Sequence, residues 1–222
     1  MNDIINLLQR RNLVWRGALQ QDISKAQASE YPELDDKLAG GFPEHGVVDI
    51  SAPQGIGEIR LLLPLLKKQR GLLVFINPPG HLCAEQLHHY GLDISQVLLV
   101  FCGKANDALW AAECCLKSGA CGTVLIWQNV LEIHHVKRLQ VASETGGCLL
   151  FLQRSRQQDS VSLPVTLGLS LSANDLGIDI NIRKRKGGWP LSTFSVDMRK
   201  QWPALTINRS TNVLHFPVSK VI

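Results

Sequence analysis

The chain has 222 residues, 45% of them hydrophobic and 19% charged, with a formal net charge of +4 and a sequence pI near 8.8. This is ordinary globular composition, and the length fits one domain with short extensions and a full core. The six cysteines form no C-x-x-C pair, which argues against a zinc ribbon or redox motif; no 18-residue apolar run occurs, which argues against a membrane span. The N-terminus lacks an apolar signal segment, so the expectation is a soluble, cytoplasmic protein with no membrane contact. The mild positive charge permits weak DNA binding without arguing for it.

Residues 2–10 predict a short helix, capped by Asn2 or Asp3, with Ile4, Leu7 and Leu8 on one face. The polar arm that follows carries Trp15-Arg16-Gly17, either an anchor into a partner or an aromatic docked on the chain's own core. A short helix over Glu33–Leu38 should end at Gly40-Gly41, where a positive φ is cheap. A turn at Pro43–Gly46 then feeds an apolar strand, Val47–Ile50. After a glycine-bearing loop, helix 57–68 carries leucines at 61, 62, 63, 65 and 66, so it packs deep, and Pro64 should kink it.

Gly71–Asn77 reads as a buried strand, residues 82–90 as a short helix and Val97–Phe101 as a further strand. Asn106-Asp107 should cap a helix running to Gly119, with Ala108, Ala111, Ala112 and Cys115 on one face. Gly122–Trp127 is another strand. Leu131–Thr145 is a helix with Ile133, Val136, Leu139 and Ala142 inward, and Cys148–Leu152 is the next strand. Strands that alternate with helices and read as continuous apolar runs predict a parallel sheet with crossovers.

From residue 153 the texture changes. Gln153–Ser160 is a polar loop, and Val165–Leu171, Ile178–Arg185 and Leu191–Asp197 read as antiparallel strands. Lys184–Gly188 is a basic turn between two of them, and 203–222 is an edge strand or a tail. The expected fold class is α/β: a mostly parallel sheet flanked by helices, plus C-terminal antiparallel strands. The expected organisation is an N-terminal helix and arm over 1–30, a core over 31–200 and an extension over 201–222.

The stretch of clearest chemical interest is the loop after Val47–Ile50. A strand, a glycine loop and a helix form the layout of a phosphate-binding loop, G-x-x-x-x-G-K-[ST]. There, backbone N–H groups cradle phosphates, the lysine reaches the terminal phosphates and the hydroxyl holds Mg²⁺. The register here is Ala52-Pro-Gln-Gly55-Ile-Gly57-Glu58-Ile59. The second glycine is kept as Gly57, but the lysine is Glu58 and the hydroxyl residue is Ile59. A carboxylate at a helix N-terminus fills the electrostatic slot of a phosphate.

Other candidates are weaker. His88-His89 and His134-His135 are adjacent pairs, pointing about 100° apart on a helix, whereas metal pairs need i, i+3 or i, i+4 spacing. No local signature of nucleophilic catalysis occurs. Trp110 lies off the main apolar face of its helix, as a second buried side or an exposed contact. Arg183–Lys186 either touches phosphates or an acidic partner, or is a solvated hairpin tip.

Several stretches, in order, resemble the core of the RecA ATPases: Leu34-Asp35 through Gly46–Ile50 and the loop, then Phe75–Asn77, Gly91–Ile94, Ala108–Glu113, Val124–Ile126 and Arg183–Phe194. Within that superfamily the chain is similar to the ImuA family, RecA-like accessory proteins of error-prone translesion synthesis. The runs that carry this are Trp15-Arg16-Gly17, Gly55–Glu58 with Arg60–Pro64, Asp107–Glu113 with Ser118–Gly122, and Lys184–Gly188. SulA, the SOS cell-division inhibitor, is a related, shorter, nucleotide-free member.

The resemblance also says what is missing. The metal-holding Asp expected after Val124–Ile126 is replaced by Trp127-Gln128-Asn129. The water-activating carboxylate has no counterpart at Asn77-Pro78-Pro79, and Gln153 stands where RecA proteins place a nucleotide-sensing Gln. Phosphoryl transfer is mostly positioning and charge neutralisation, so losing lysine, metal acid and base together removes every contribution. The expectation is therefore no enzyme, no cofactor and no metal.

The resemblance implies a non-catalytic adaptor in SOS-induced mutagenesis. Its implied partners are an ImuB-like inactive polymerase, the error-prone polymerase complex and RecA. The arm, with Trp15 and Arg16, and the exposed sheet edge are candidate contacts. Arg154, Arg156, Arg183, Lys184, Arg185 and Lys186 are candidates for partner or DNA contact. The alternatives are a SulA-like inhibitor of FtsZ assembly, a DNA-binding RecA-like module and a weak ATPase.

Overall fold

The computed structural model describes residues 26–155 and 163–203. The expected helix 2–10, Trp15, Arg16, Arg156 and the segment beyond Pro203 lie outside the described residues.

Chain order runs β1 (Ala26–Gln27), α1 (Pro32–Leu38), β2 (Phe42–Pro43), β3 (Gly46–Ser51), α2 (Glu58–Leu66), β4 (Leu72–Ile76), α3 (Ala84–His89), β5 (Val97–Val100), α4 (Ala105–Lys117) and β6 (Cys121–Trp127). It continues through α5 (Ile133–Gly146), β7 (Leu149–Arg154), β8 (Leu167–Ala173), β9 (Gly177–Arg185) and β10 (Leu191–Asp197). One eight-stranded sheet is ordered β10-β9-β8-β3-β7-β6-β4-β5, beside the two-residue ribbon β1-β2. β3 through β8 pair in parallel across five interfaces; β9 and β10 add antiparallel. This is the α/β class expected, with one refinement: the first of the three C-terminal strands, β8, is parallel to β3 on one side and antiparallel to β9 on the other.

Each face of the sheet has its own core. On one face α1, α2 and α3 pack over Val48, Ile50, Phe75, Phe151 and the inward residues of β8–β9. On the other, α4 and α5 bury Ala108, Ala112, Val136, Leu139 and Ala142 against Val47, Val74, Ile126 and Leu150. A parallel strand covered on both sides must be apolar at successive positions. Leu61, Leu62, Leu63, Leu65 and Leu66 of α2 are all at most 3% exposed, each contributing roughly 1.5–3 kcal/mol over the exposed state.

Pro64 sits inside α2 and has no N–H to offer the carbonyl of Arg60. The orphaned oxygen is met from outside the helix. Tyr31 donates its hydroxyl to Arg60 O at 3.2 Å, and Trp202 Nε1 donates to the Tyr31 oxygen at 2.9 Å. This relay ties Tyr31, at the start of α1, and Trp202, after the last strand, to the middle of α2. Burial pushes the Tyr31 phenol up to about 12.

Four local expectations change. The left-handed cap of α1 is Ala39 (φ 52), not a glycine. Gly40 and Gly41 are used at φ 117 and 119, and a Cβ on Gly41 would lie 2.1 Å from Gln27 O, so close backbone approach claims Gly41. α4 begins at Ala105 after Lys104, with no side-chain cap, and Asn106 and Asp107 lie in its first turn. Its buried stripe is Ala108, Leu109, Ala112 and Leu116, with Ala111 and Cys115 only half-buried. Ile133, at the first position of α5, is exposed because the inward stripe starts at Val136. Finally, Gln153 and Arg154 do not open a polar loop; they are buried residues of β7.

Candidate functional site

The loop between β3 and α2 has the geometry of an anion cradle. Gly55 (φ 80) and Gly57 (φ 103) are left-handed, as a tight loop before a helix requires. Their amides, however, point at the chain itself. Gly55 N–H donates to Glu58 Oε1 at 3.2 Å and Gly57 N–H to Glu58 Oε2 at 3.1 Å. Glu58 is 6% exposed and is the first residue of α2, so its charge also lies at the positive end of the helix. Ile59, in the hydroxyl position, is half-buried and packs on the core.

Beside the loop is a cavity of about 230 Å³. Sequence-distant residues meet there: Ala52, Gln54 and Glu58 from the loop, Asn77 and Pro79 after β4, Trp127, Gln128 and Asn129 after β6, and Gln153, Arg154 and Ser155 at the end of β7. The positions that looked degenerate in the sequence therefore converge on one place. Among the described residues Glu58 is the only carboxylate in that lining and Arg154 its only cation.

The polar groups there are largely occupied. Asn77 Oδ1 accepts from Cys102 N–H at 2.7 Å, Gln128 Nε2 donates to Val130 O at 3.0 Å, and Asn129 Oδ1 accepts from Ser155 N–H at 2.8 Å. Trp127 stacks on Phe75 at 6.4 Å. Gln153 is 3% exposed, and its Nε2 has no hydrogen-bond partner. Among the described residues no group of three or more His, Cys, Asp or Glu could hold a metal ion.

Arg154 faces inward. Its Nε and Nη2 donate to Asp49 Oδ1 and Oδ2, both at 2.7 Å, in a buried fork, and Arg183 Nη2 adds a bond to the same Oδ2 at 3.0 Å. Sequence reasoning missed Asp49. The available signal was an acid inside the apolar run Gly46–Ser51, which a buried strand tolerates only when it is paired.

The basic run is also committed. Arg183, Lys184 and Arg185 belong to β9; the turn itself is Lys186–Pro190. Lys184 Nζ reaches Leu163 O at 2.6 Å. Arg185 donates to Lys37 O and Leu38 O at 3.0 and 2.7 Å, closing the C-terminus of α1. Lys186 is exposed and 3.6 Å from Glu144. The histidine pairs separate by role: His88 and His89 end α3 in solvent, whereas His135 Nδ1 accepts from Glu132 N–H in the capping box of α5.

At the far edge of the sheet the pattern reverses. Among the described residues β5 pairs only with β4, and Leu98 (42%), Leu99 (40%) and, just past the strand, Phe101 (64%) are open to water. Trp110 of α4 is 66% exposed, which decides its two readings for an exposed side chain.

No family model matches the chain. In sequence it is similar to RecA from Picosynechococcus sp., 25% identical over 162 residues, covering 69% of this chain and 45% of that protein. It is also similar to RecA from Lactiplantibacillus pentosus, 24% identical over 195 residues, covering 82% and 51% respectively. The chain thus spans about half the length of the curated relatives it matches. Among solved structures, SulA from Pseudomonas aeruginosa aligns with a TM-score of 0.42 and 25% identity, covering 49% of this chain and 97% of SulA. The chain is thus similar to RecA in sequence at low identity, and its fold is the mostly parallel α/β sheet described above. No helix among the described residues is long and apolar enough to cross a membrane.

Proposed function

We propose that this chain is a non-catalytic RecA-like adaptor in SOS-induced, error-prone translesion DNA synthesis. Its partners in this reading are an ImuB-like inactive polymerase, the error-prone polymerase complex and RecA. The observation that carries the reading is the Glu58 carboxylate, held by the Gly55 and Gly57 amides where a bound phosphate would otherwise be received. A fixed anion there repels phosphate and offers no charge neutralisation for phosphoryl transfer. With the loop closed by its own side chain, the β5 edge and Trp110 supply the surface on which partners would be gathered.

Two measurements test this. Tagged protein from DNA-damaged cells should co-purify with polymerase components; capture of FtsZ without any polymerase component would sink the adaptor and favour a SulA-like inhibitor. Glu58→Lys should show no ATP turnover above the protein-free rate, because the metal acid and the base are still missing; steady hydrolysis by that variant would overturn the claim of a dead site.

A further inference from the structure

We propose that the groove between α2 and Trp202 is a docking site for an acidic peptide segment carrying one large apolar side chain. The groove holds about 460 Å³, twice the roughly 230 Å³ of the loop cavity. Its apolar surface is Leu63, Pro64, Tyr90 and Trp202, and its rim carries Lys67 and Lys68. It makes no use of the loop, so it stands whether or not the loop binds nucleotide.

Two features point to this occupant. The first is rigidity. Trp202 is fixed by its bond to Tyr31, and its ring meets Tyr90 edge-to-face at 4.6 Å and 82°. A site whose aromatics are already ordered loses little entropy on binding.

The second is charge. Among the described residues Glu30 is the only carboxylate lining the groove, and Lys68 pairs with it. That leaves the ammonium of Lys67, an exposed residue whose stem crosses Gly91, as surplus positive charge at the rim. An apolar floor with a basic rim is complementary to an apolar residue flanked by carboxylates.

A nucleic acid fits less well, because Trp202 is only 8% exposed and offers no open face on which a base could stack.

The test uses full-length protein and three fluorescein-labelled ten-residue peptides: one with a single Phe among Asp and Glu, one with that Phe replaced by Ala, and one with the acids replaced by Lys. The first should bind saturably. The other two should bind about tenfold or more weakly, as should the first peptide to Lys67→Glu. Lys67 is on the surface, so an unchanged Tm certifies that variant as folded. The proposal is overturned if the first peptide does not bind, if all three bind alike, or if Lys67→Glu keeps full affinity. An oligo-dT strand that displaces the peptide would make the groove a nucleic-acid surface. Self-association lost in Lys67→Glu, without peptide binding, would assign it to a second copy. Either result also overturns the proposal.

Discussion

The C-terminal ends of the central strands and the outer edge at β5 treat their side chains in opposite ways. Around β3 and β7 the chain buries charge and then matches it: Asp49 takes three hydrogen bonds from Arg154 and Arg183, and Glu58 takes two from loop amides. At and just after β5 it does the reverse, leaving Leu98, Leu99 and Phe101 in water beside a strand that, among the described residues, has one unpaired side. A region whose charges are matched internally has little left to offer a ligand. A region with unburied apolar area gains free energy when something covers it. The contrast teaches that the centre of the sheet is built for stability, while the edge keeps apolar area open to solvent.

The largest effect should come from breaking the central match. Asp49→Ala leaves the buried Arg154 guanidinium without its fork and removes one bond from Arg183. The expected loss is about 3–5 kcal/mol, since the guanidinium loses the carboxylate it is buried against. Urea unfolding followed by circular dichroism measures it. A loss under about 1 kcal/mol would mean that water reaches Arg154 freely and would erase the distinction between the two regions.

Next is the relay across α2. Tyr31→Phe removes the acceptor of Trp202 Nε1 and the donor to Arg60 O. Stranding two buried partners should cost about 1–3 kcal/mol. The relay also has a pH signature. With the phenol raised from about 10 to about 12, the unfolded chain releases its proton first and the folded chain holds it longer. Stability is therefore full below pH 10 and falls as pH rises from 10 to 12, by on the order of 2–3 kcal/mol. In Tyr31→Phe that part of the alkaline slope should disappear. An identical slope in both proteins would mean that other groups set it.

The sequence carried the scaffold well, for a physical reason. Strands buried on both faces and helices with one inward stripe leave repeating apolar patterns, and residues 71–152 contain little else. The loop was legible too, because Gly57 and Glu58 stand at fixed distance from β3. Pairings between distant residues were not legible. Nothing local to Asp49 names Arg154, 105 positions away, and nothing near Pro64 names Tyr31 or Trp202. Arg154 and Arg185 read as free surface cations because adjacent polar residues suggested a loop; in the fold each answers a backbone or side-chain oxygen made available by another element. Edge exposure was equally hidden, since Val97–Phe101 spells the same apolar run as a central strand, and only strand order distinguishes them.

The smallest effect on stability, and the sharpest contrast, is expected at that edge. Phe101→Ser or Leu99→Lys changes a side chain already open to water, so the unfolding free energy should move by no more than about 0.5 kcal/mol. Partner capture should respond differently. If polymerase components are gathered along β5, each substitution should weaken their recovery in the pull-down several-fold, because truncating an exposed aromatic or placing a lysine on an edge strand opposes both apolar burial and strand addition. Recovery that stays complete while stability is unchanged would show that the edge is idle. The contact surface would then have to lie elsewhere, and Trp110 on α4 is the next exposed ring to alter.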